Sequence, residues 1–265
     1  MRRFALISDI HGNLPALDAA LADIETHGLG SATYCLGDLV GYGPDPAGVI
    51  ERIRSLDIST IRGNYDDGVG NRRGECGCYY VTDQAKQDGA ASYVFTDGAF
   101  SDEDHVWLSA LPDEIRLEAE GLRVLLAHGS PRKINEYLLP DRTDAQLIRL
   151  AVQADADLVC VGHVHVPYHR AMTATDGRRI HYVSSGSVGK PKDGDSRAGW
   201  VEVVVGSADE VRALVTEDDA ASAAGDGDMW VGAVAHRVAY DIEAVCAAMR
   251  EAGLPETLIQ ALVNA

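Results

Sequence analysis

The stretch that decides the fold is "RFALISDIHGN", residues 3–13. Its first half is a continuous apolar run of strand length, and its second half is a polar turn that carries Asp9, His11 and Asn13. Helical spacing follows, because apolar side chains recur at Leu14, Leu17, Leu21 and Ile24. The stretch therefore predicts a buried strand, a polar loop and a helix in direct succession.

The same alternation continues along the chain. "ATYCLGD" (32–38) and "ISTIRGN" (58–64) read as short strands, and "PAGVIERIRSL" (46–56) between them reads as a helix. Two further apolar strands end in histidines, "GLRVLLAHG" (121–129) and "ADLVCVGHVH" (156–165). Strands that alternate with helices are typical of a layered α/β sheet, which is the fold class that we predict.

The remaining segments complete the predicted order. We expect helices over 82–96, over 102–110 with Ser101 as N-cap, and over 144–154, the last opened by a capping box of Thr143 and Gln146. The segments 178–189, 198–206 and 210–217 are predicted to be successive strands of a second sheet, and 229–240 a last strand. Residues 216–228 are acidic and rich in Gly and Ala, which predicts a mobile surface loop, and C-terminal helices are expected over about 241–264. We predict one domain over residues 1–265.

Composition excludes some classes of function. The 265 residues carry 41 acids against 23 bases, a net charge of −18, which argues against a duplex nucleic acid as partner. A small phosphate ester stays possible, because metal ions in a pocket reverse the local field. No apolar run approaches the roughly 20 residues that span a bilayer, so we expect no membrane partner and a cytoplasmic location. Five scattered cysteines are expected to be reduced thiols, and Cys76-Gly-Cys78 lacks a second pair for a zinc site.

Polar donors follow five of the predicted strands. Because the carboxyl ends of strands converge at one edge of an open α/β sheet, these donors are expected to share one crevice. Oxygen and imidazole donors together favour Mn, Fe, Zn or Ni, and seven donors match two ions about 3.5–4 Å apart rather than one. The predicted donors are Asp9, His11, Asp38, Asn64, His128, His163 and His165.

Five histidines lie outside these motifs and are interpreted as structural. His27 follows the first predicted helix, where an imidazolium favours the helix dipole. The others have no motif around them: His105, His169, His181 and His236.

The blocks "DIHGN", "GDLVGYG", "RGNYD", "AHGSP" and "GHVHVP" resemble, in order and spacing, the signatures of calcineurin-like metallophosphoesterases, and most closely their small prokaryotic phosphodiesterase-like branch. The resemblance covers residues 4 to about 205. It implies a four-layer α/β/β/α sandwich of two mixed β-sheets flanked by helices, to which this chain adds a short C-terminal helical extension.

The resemblance also assigns roles to the donors. It implies that Asp9, His11 and His165 hold the first metal and that Asn64, His128 and His163 hold the second. Asp38 would bridge the two ions, of which Mn is the expected identity. Two cations would lower the pKa of a bridging water, whose hydroxide attacks phosphorus in line. Substrate contacts are expected from Asn13, Tyr42 and Ser187.

This chain departs from the family pattern at two places. The wider family commonly has a histidine after Gly-Asn, as the acid for the leaving group, and the next acidic residue holds it. Tyr65 and Asp66 stand here, and a phenol is a poorer acid than imidazolium, so we expect good leaving groups to be cleaved better than alkyl phosphomonoesters. Gly41-Tyr42-Gly43 replaces the Arg-containing motif of the phosphoprotein phosphatases, which argues against protein phosphatase activity.

The leading hypothesis is a metal-dependent phosphodiesterase that hydrolyses a small phosphodiester, for which a cyclic nucleotide is one candidate. A phosphomonoesterase or a dinucleoside-polyphosphate hydrolase would use the same site. A non-catalytic binding scaffold is the alternative from another class, and such scaffolds have lost ligand histidines that this chain keeps.

Overall fold

Strand β1 (Arg2–Ile7) lies at the centre of the architecture and shows how its layers arise. The structure, a computed structural model, describes residues 1–215, 221–226 and 229–265. Side chains alternate across a strand, so Phe4 and Leu6 pack into the core between two sheets, while Ala5 and Ile7 pack under a layer of helices. A strand that is apolar on both faces must be covered on both faces, and here helices cover one face and the second sheet covers the other.

The first sheet has six strands in the order β10-β11-β9-β1-β2-β3. Strands β1, β2 and β3 are parallel, and β9 pairs antiparallel with β1. Besides β1, its members are β2 (Thr33–Cys35), β3 (Ser59–Thr60), β9 (Ala198–Gly206), β10 (Ala221–Asp226) and β11 (Met229–Val238).

The second sheet has five strands in the order β4-β5-β6-β8-β7. Strands β5, β6 and β8 are parallel, and the two edge strands are antiparallel to their neighbours. The strands are β4 (Glu114–Ala119), β5 (Leu122–Ala127), β6 (Leu158–Val161), β7 (Pro167–Thr173) and β8 (Arg179–Ser185).

Helices cover the outer faces of both sheets. Three cores separate the layers: one between α1–α2 and the first sheet, one between the sheets, and one between α6 and the second sheet. This is the predicted four-layer α/β/β/α sandwich, with α8 and α9 as the C-terminal helical extension. The helices are α1 (Leu14–Thr26), α2 (Pro46–Ser55), α3 (Asn64–Gly70), α4 (Asp83–Gly98), α5 (Asp102–Ala110), α6 (Asp144–Gln153), α7 (Ala208–Leu214), α8 (Ile242–Glu251) and α9 (Glu256–Val263). None of the helices in the described part of the chain is long and apolar enough to cross a membrane.

The prediction for residues 198–217 was wrong in two respects. Strand β9 belongs to the first sheet, not to the sheet of β8. Residues 210–215, the described part of the segment 210–217, do not form a strand, because helix α7 begins two residues earlier. Ser207 Oγ accepts a hydrogen bond from the Glu210 N–H, and the Glu210 carboxylate accepts one from the Ser207 N–H. This capping box starts a helix despite the β-branched residues that follow it.

Other local expectations were also corrected. Thr143 precedes α6, but its side chain forms no cap, and the Gln146 N–H donates to the Thr143 backbone carbonyl instead. Residues 64–70 form helix α3, which was not predicted. Cys76 and Cys78 are bonded in a disulfide, whereas the other three cysteines are free and buried. Strands β4 and β7 were not predicted.

The acidic segment 216–228 is only partly described. Residues 221–226 form edge strand β10, which pairs antiparallel with β11, so this part is not the predicted loop. Residues 216–220 and 227–228 lie outside the described residues.

Candidate metal centre

The predicted donors meet at one edge of the two sheets. Asp9 and His11 follow β1, Asp38 follows β2, and Asn64 is the first residue of α3, which follows β3. His128 follows β5 of the opposite sheet, and His163 and His165 follow β6. All seven side chains are buried, and none exceeds 4% exposure.

Six of these donors form two groups of three. The ligand atoms within each group lie within 4.8 Å of one another, and the groups are Asp9, His11, His165 and Asp38, His128, His163. Asp38 lies between them, because its Oδ2 is 3.8 Å from His11 Nε2 and 3.4 Å from His128 Nε2. Asn64 Oδ1 is 3.1 Å from His128 Nε2, which places the amide beside the second group. The arrangement can hold two cations that share one carboxylate.

Backbone carbonyl groups orient three of the imidazoles. His11 Nδ1 is 3.0 Å from the Val40 carbonyl oxygen, and His128 Nδ1 is 2.7 Å from that of Leu36. His165 Nδ1 contacts the Lys190 carbonyl oxygen in the same way. An imidazole that donates from Nδ1 to a carbonyl presents the lone pair of Nε2, which is how metal-bound histidines are usually fixed.

Two buried donor atoms support the fit of a metal to these residues. Asp9 Oδ1 and His163 Nε2 have no hydrogen-bond partner among the described residues, and one lies in each group. A buried polar atom without a partner is costly, so such atoms are rare in folded proteins. A cation in each group would satisfy both atoms, and oxygen and imidazole donors suit a divalent transition metal.

The donor loops have an uncommon backbone. Five of the predicted ligands have φ between 51° and 67°, a range that residues other than glycine seldom adopt: Asp9, His11, Asp38, His163 and His165. Non-glycine residues with this geometry concentrate at functional sites, where the surrounding structure holds them in place. Main-chain hydrogen bonds hold these residues in place. The Asp9 N–H donates to the Gly37 carbonyl at 2.9 Å, and the His11 N–H donates to the Asp38 carbonyl at 3.0 Å.

Electrostatics keep Asp9, His11 and His163 in forms that bind metal, whereas His128 must lose a proton to do so. Burial lowers the pKa of His11 and of His163 to about 3, so both imidazoles are neutral at pH 7. Burial alone would raise the pKa of Asp9, but the adjacent His165 holds it below its ordinary value. Burial alone would lower the pKa of His128, yet the Asp38 carboxylate raises it to about 9, so this imidazole carries a proton at pH 7 when no cation is bound.

Tyr65 and Asp66, predicted to take part in the chemistry, are wholly buried in α3. The Tyr65 hydroxyl is 2.9 Å from Ser92 Oγ and donates to the Gly89 carbonyl at 3.3 Å. The Asp66 carboxylate accepts three main-chain hydrogen bonds and does not hold residue 65 as the family pattern would suggest. Both side chains therefore fix the loops of the site.

The three predicted substrate contacts have mainly internal partners. Asn13 caps α1 by accepting from the Ala16 N–H at 3.2 Å, and its amide donates to the Gly189 carbonyl at 3.1 Å. Ser187 is wholly buried and donates to the Asp9 carbonyl at 2.7 Å, so it braces the donor loop instead of facing a substrate. The Tyr42 ring stands edge-on to His11, with 4.9 Å between ring centroids, and is the one of the three that borders the donors directly.

Sequence reasoning missed two lysines beside this site. Lys190 and Lys192 follow the Gly186–Gly189 loop, and the Lys190 ammonium lies 4.9 Å from the centroid of the Tyr42 ring. Burial, with the nearby Lys192, lowers the pKa of Lys190 to about 8. Neither lysine forms an ion pair with any described residue. The available signal was composition, because the chain has only four lysines and two of them stand here.

A cleft of about 470 Å³ opens beside the second group of donors. Its wall includes His128, and cationic side chains that lie around it are Arg62, Arg73, Arg132 and Lys133. Three carboxylates also line the cleft, those of Asp67, Asp113 and Glu114, and the first two pair with Arg62 and Arg73. The cleft therefore offers room next to the donors, with most of its charge already balanced.

Comparisons with known proteins agree with this geometry. The family model described as "Calcineurin-like phosphoesterase superfamily domain" matches residues 2–206. The protein MJ0912 of Methanocaldococcus jannaschii is 34% identical over 208 residues, which cover 74% of this chain and 80% of that protein. A metallophosphoesterase crystal structure from Sphaerobacter thermophilus is similar at 28% identity and a TM-score of 0.66, with 99% of this chain and 98% of that one covered. The Pyrococcus horikoshii protein PH1004 has the same fold, with a TM-score of 0.74, 23% identity, and 99% and 98% of the two chains covered.

Proposed function

Because this chain belongs to the calcineurin-like phosphoesterase superfamily, we propose that it is a dinuclear metal-dependent phosphodiesterase that hydrolyses a small phosphodiester. The observation that carries the proposal is the pair of buried three-donor groups, which Asp38 joins and in each of which one donor atom lacks a partner. Such a pair has no evident structural use, since burying it without cations costs free energy.

The residues fall into two ligand sets. Asp9, His11 and His165 would hold one ion, Asn64, His128 and His163 the other, and Asp38 both. The Asn64 amide nitrogen donates to the Cys76 carbonyl at 2.9 Å, which leaves its Oδ1 for the ion. When bound, two cations supply Lewis acidity and a nucleophile from water at neutral pH. We propose Mn as the natural metal, with Fe, Zn or Ni as alternatives.

In this proposal the substrate is bound by cationic side chains that have no carboxylate partner within the protein. We propose that Lys190 and the exposed Lys192 contact the non-bridging oxygens of the substrate phosphate, because the half-buried Lys190 ammonium has no carboxylate partner and so favours a bound anion. The cleft beside His128 would take one of the two ester substituents. Space on both sides of the phosphorus is what distinguishes a diester site from a monoester site.

The leaving group receives no proton from residue 65 in this proposal. Its hydroxyl is bonded to Ser92 and Gly89, and burial raises its pKa well above the ordinary value for tyrosine. Esters with good leaving groups, such as aryl phosphodiesters, would therefore be cleaved faster than alkyl phosphomonoesters. A cyclic nucleotide is the biological substrate that we would test first.

The experiment begins with metal analysis of the purified protein, followed by turnover of bis-p-nitrophenyl phosphate and p-nitrophenyl phosphate with added Mn²⁺. We expect two equivalents of metal at the dinuclear centre, a preference for the diester, and loss of that metal and of turnover in Asp38→Asn. A protein without metal and without turnover across several divalent ions would instead be a binding scaffold. A preference for the monoester would favour the phosphomonoesterase alternative.

Lys190→Met tests the substrate contact separately, with Lys86→Met on the exposed face of α4 as its control. We expect Lys190→Met to raise KM and to weaken inhibition by inorganic phosphate by about tenfold, the factor that corresponds to the loss of one charged contact of roughly 1.5 kcal/mol. Metal content should stay at two equivalents. Unchanged phosphate inhibition in Lys190→Met would contradict the assignment.

We also propose that the C-terminal helices form one domain with the rest of the chain. Tyr240, just before α8, has its hydroxyl 3.3 Å from the Asn13 amide nitrogen, and the core of α8 and α9 includes Tyr42. The helical extension thus packs directly against residues that border the donors.

A further inference from the structure

A second cluster of metal-binding side chains lies outside the dinuclear centre, on the outer face of the first sheet. Asp23 and His27 are one turn apart at the C-terminal end of α1, which packs over β9 and β11. His236 stands on β11 beneath them. One nitrogen of each imidazole and one carboxylate oxygen of Asp23 all lie within 4.8 Å of one another. Glu202 on β9 adds a second carboxylate, with its Oε2 3.6 Å from His236 Nε2.

Hydrogen bonding within the cluster does not account for its arrangement. His236 Nε2 is buried and has no hydrogen-bond partner among the described residues, and the 3.6 Å to Glu202 exceeds hydrogen-bond length. Donors bound tetrahedrally to one zinc ion, at about 2.0–2.1 Å each, lie roughly 3.3–3.5 Å apart. The 3.6 Å between His236 Nε2 and Glu202 Oε2 is therefore near what a shared cation requires.

The surroundings already orient these side chains as metal sites do. His27 Nδ1 is 2.9 Å from the Asp23 backbone carbonyl oxygen, and the Trp200 indole N–H donates to Asp23 Oδ2 at 2.8 Å. The Trp200 ring stacks on His236, with 3.9 Å between ring centroids and 9° between planes, which fixes the imidazole. Glu202 Oε1 accepts from Arg3 at 2.6 Å, which leaves Oε2 facing His236. Such hydrogen bonds to the ligands are typical of protein metal sites.

We propose that Asp23, His27 and His236, with Glu202 as a fourth donor, bind one divalent cation of the Zn²⁺ class. Two imidazoles and carboxylate oxygens make a mixed nitrogen and oxygen set, which suits zinc in tetrahedral geometry. The ion ties the end of α1 to strands β9 and β11. Its role is structural, because the cluster lies on the far side of the first sheet from the core that the two sheets share.

The test is a titration of the chelator-treated, full-length protein with Co²⁺, followed by calorimetry and by the visible absorption of tetrahedral Co²⁺. We expect His236→Gln to bind one equivalent fewer than the unmodified protein and to lose the tetrahedral absorption band. The matched control is His169→Gln, because His169 on β7 is a half-buried histidine outside both kinds of cluster. Equal stoichiometry and equal absorption in His236→Gln and the unmodified protein would overturn the proposal.

A second measurement does not depend on how a variant folds. Crystals of the unmodified protein grown with Zn²⁺ are examined by anomalous scattering at the zinc edge. A peak enclosed by Asp23, His27 and His236 supports the site. Peaks at the dinuclear centre with none at this cluster contradict it. The outcome is independent of whether the dinuclear centre hydrolyses a diester.

Discussion

Asp66→Asn is the perturbation that most directly tests how the donor loops are held. The Asp66 carboxylate is wholly buried and accepts hydrogen bonds from the N–H groups of Asp38 and Gly63 on Oδ2, at 2.8 and 2.9 Å. Its Oδ1 accepts from the Leu39 N–H at 2.9 Å. One side chain therefore joins the loop that carries Asp38 to the loop that presents Asn64.

The size of the expected destabilisation follows from the number of hydrogen-bond acceptors at residue 66. An asparagine has one amide oxygen, which can keep the two bonds at the Oδ2 position, but its amino group then faces the Leu39 N–H. The substitution loses one hydrogen bond to a charged group, worth about 1.5–3 kcal/mol, and leaves a buried donor unsatisfied. We expect a loss of about 3 kcal/mol in the free energy of unfolding. For a chain of this size, that lowers Tm by roughly 6–12 °C.

The assay is thermal unfolding of the Mn²⁺-loaded protein at pH 8 combined with metal analysis. Without metal, burial and the neighbouring Asp38 carboxylate raise the pKa of Asp66 to about 7, so its ionisation at pH 8 opposes folding, a cost that a neutral asparagine avoids. Bound cations would offset the Asp38 charge, so the loss of the hydrogen bonds is measured with metal present. We expect the variant to bind less metal as well, because the Asp38 loop loses its anchor. The control is Asp67→Asn, the next residue of α3, whose partly exposed ion pairs with Arg62 and Arg73 contribute about 1 kcal/mol or less.

If Asp66→Asn has a Tm within the range of the Asp67→Asn control and keeps two equivalents of metal at the dinuclear centre, then the three main-chain hydrogen bonds to Asp66 do not position the donor loops. Metal loss with an unchanged Tm would instead mean that the anchor acts on the site but contributes little to the fold.

Two further substitutions test the interpretation of single side chains. Tyr65→Phe removes the hydroxyl bonded to Ser92, so we expect the free energy of unfolding in urea to fall by about 1 kcal/mol. We expect kcat on an aryl phosphodiester to stay unchanged. A large fall in kcat would show that the hydroxyl takes part in the chemistry. Glu136 has its pKa lowered to about 2, chiefly by Arg132, so its contribution to stability is present above about pH 4.5 and is lost as pH falls towards 2. Glu136→Gln should therefore be less stable than the unmodified protein at pH 7 and equal to it near pH 2, with exposed Glu118→Gln as control. A stability difference that persists at pH 2 would contradict this prediction.

The layered fold and the position of the donors could be predicted from the sequence for one physical reason. A continuous apolar run predicts a buried strand, and the polar residue that follows it must lie at a sheet edge. Asp9, Asp38, His128 and His163 could be placed in this way because each follows such a run.

What the sequence could not show depends on long-range pairing or on backbone conformation. Strand β9 reads like a neighbour of β8, but only the folded chain shows that it pairs with β1. Helix α7 depends on a cap at Ser207 that outweighs β-branched residues. The family pattern suggests that Asp66 holds residue 65, and its three main-chain partners become visible only when the loops are assembled. Lys190 becomes notable only once its burial without a carboxylate partner is known.

The backbone of the donor loops explains why such anchors are needed. Left-handed φ values at five predicted ligands cost about 1–2 kcal/mol each, which together is comparable to the 5–15 kcal/mol by which domains are usually stable. The Asp66 carboxylate and the hydrogen bonds from His11 to the Asp38 carbonyl and from Gly12 to the Leu39 carbonyl offset that cost before any cation binds. The donors are thus held in position by the protein, so metal binding need not also order the loops. Removing an anchor should therefore weaken metal binding even where every ligand is still present.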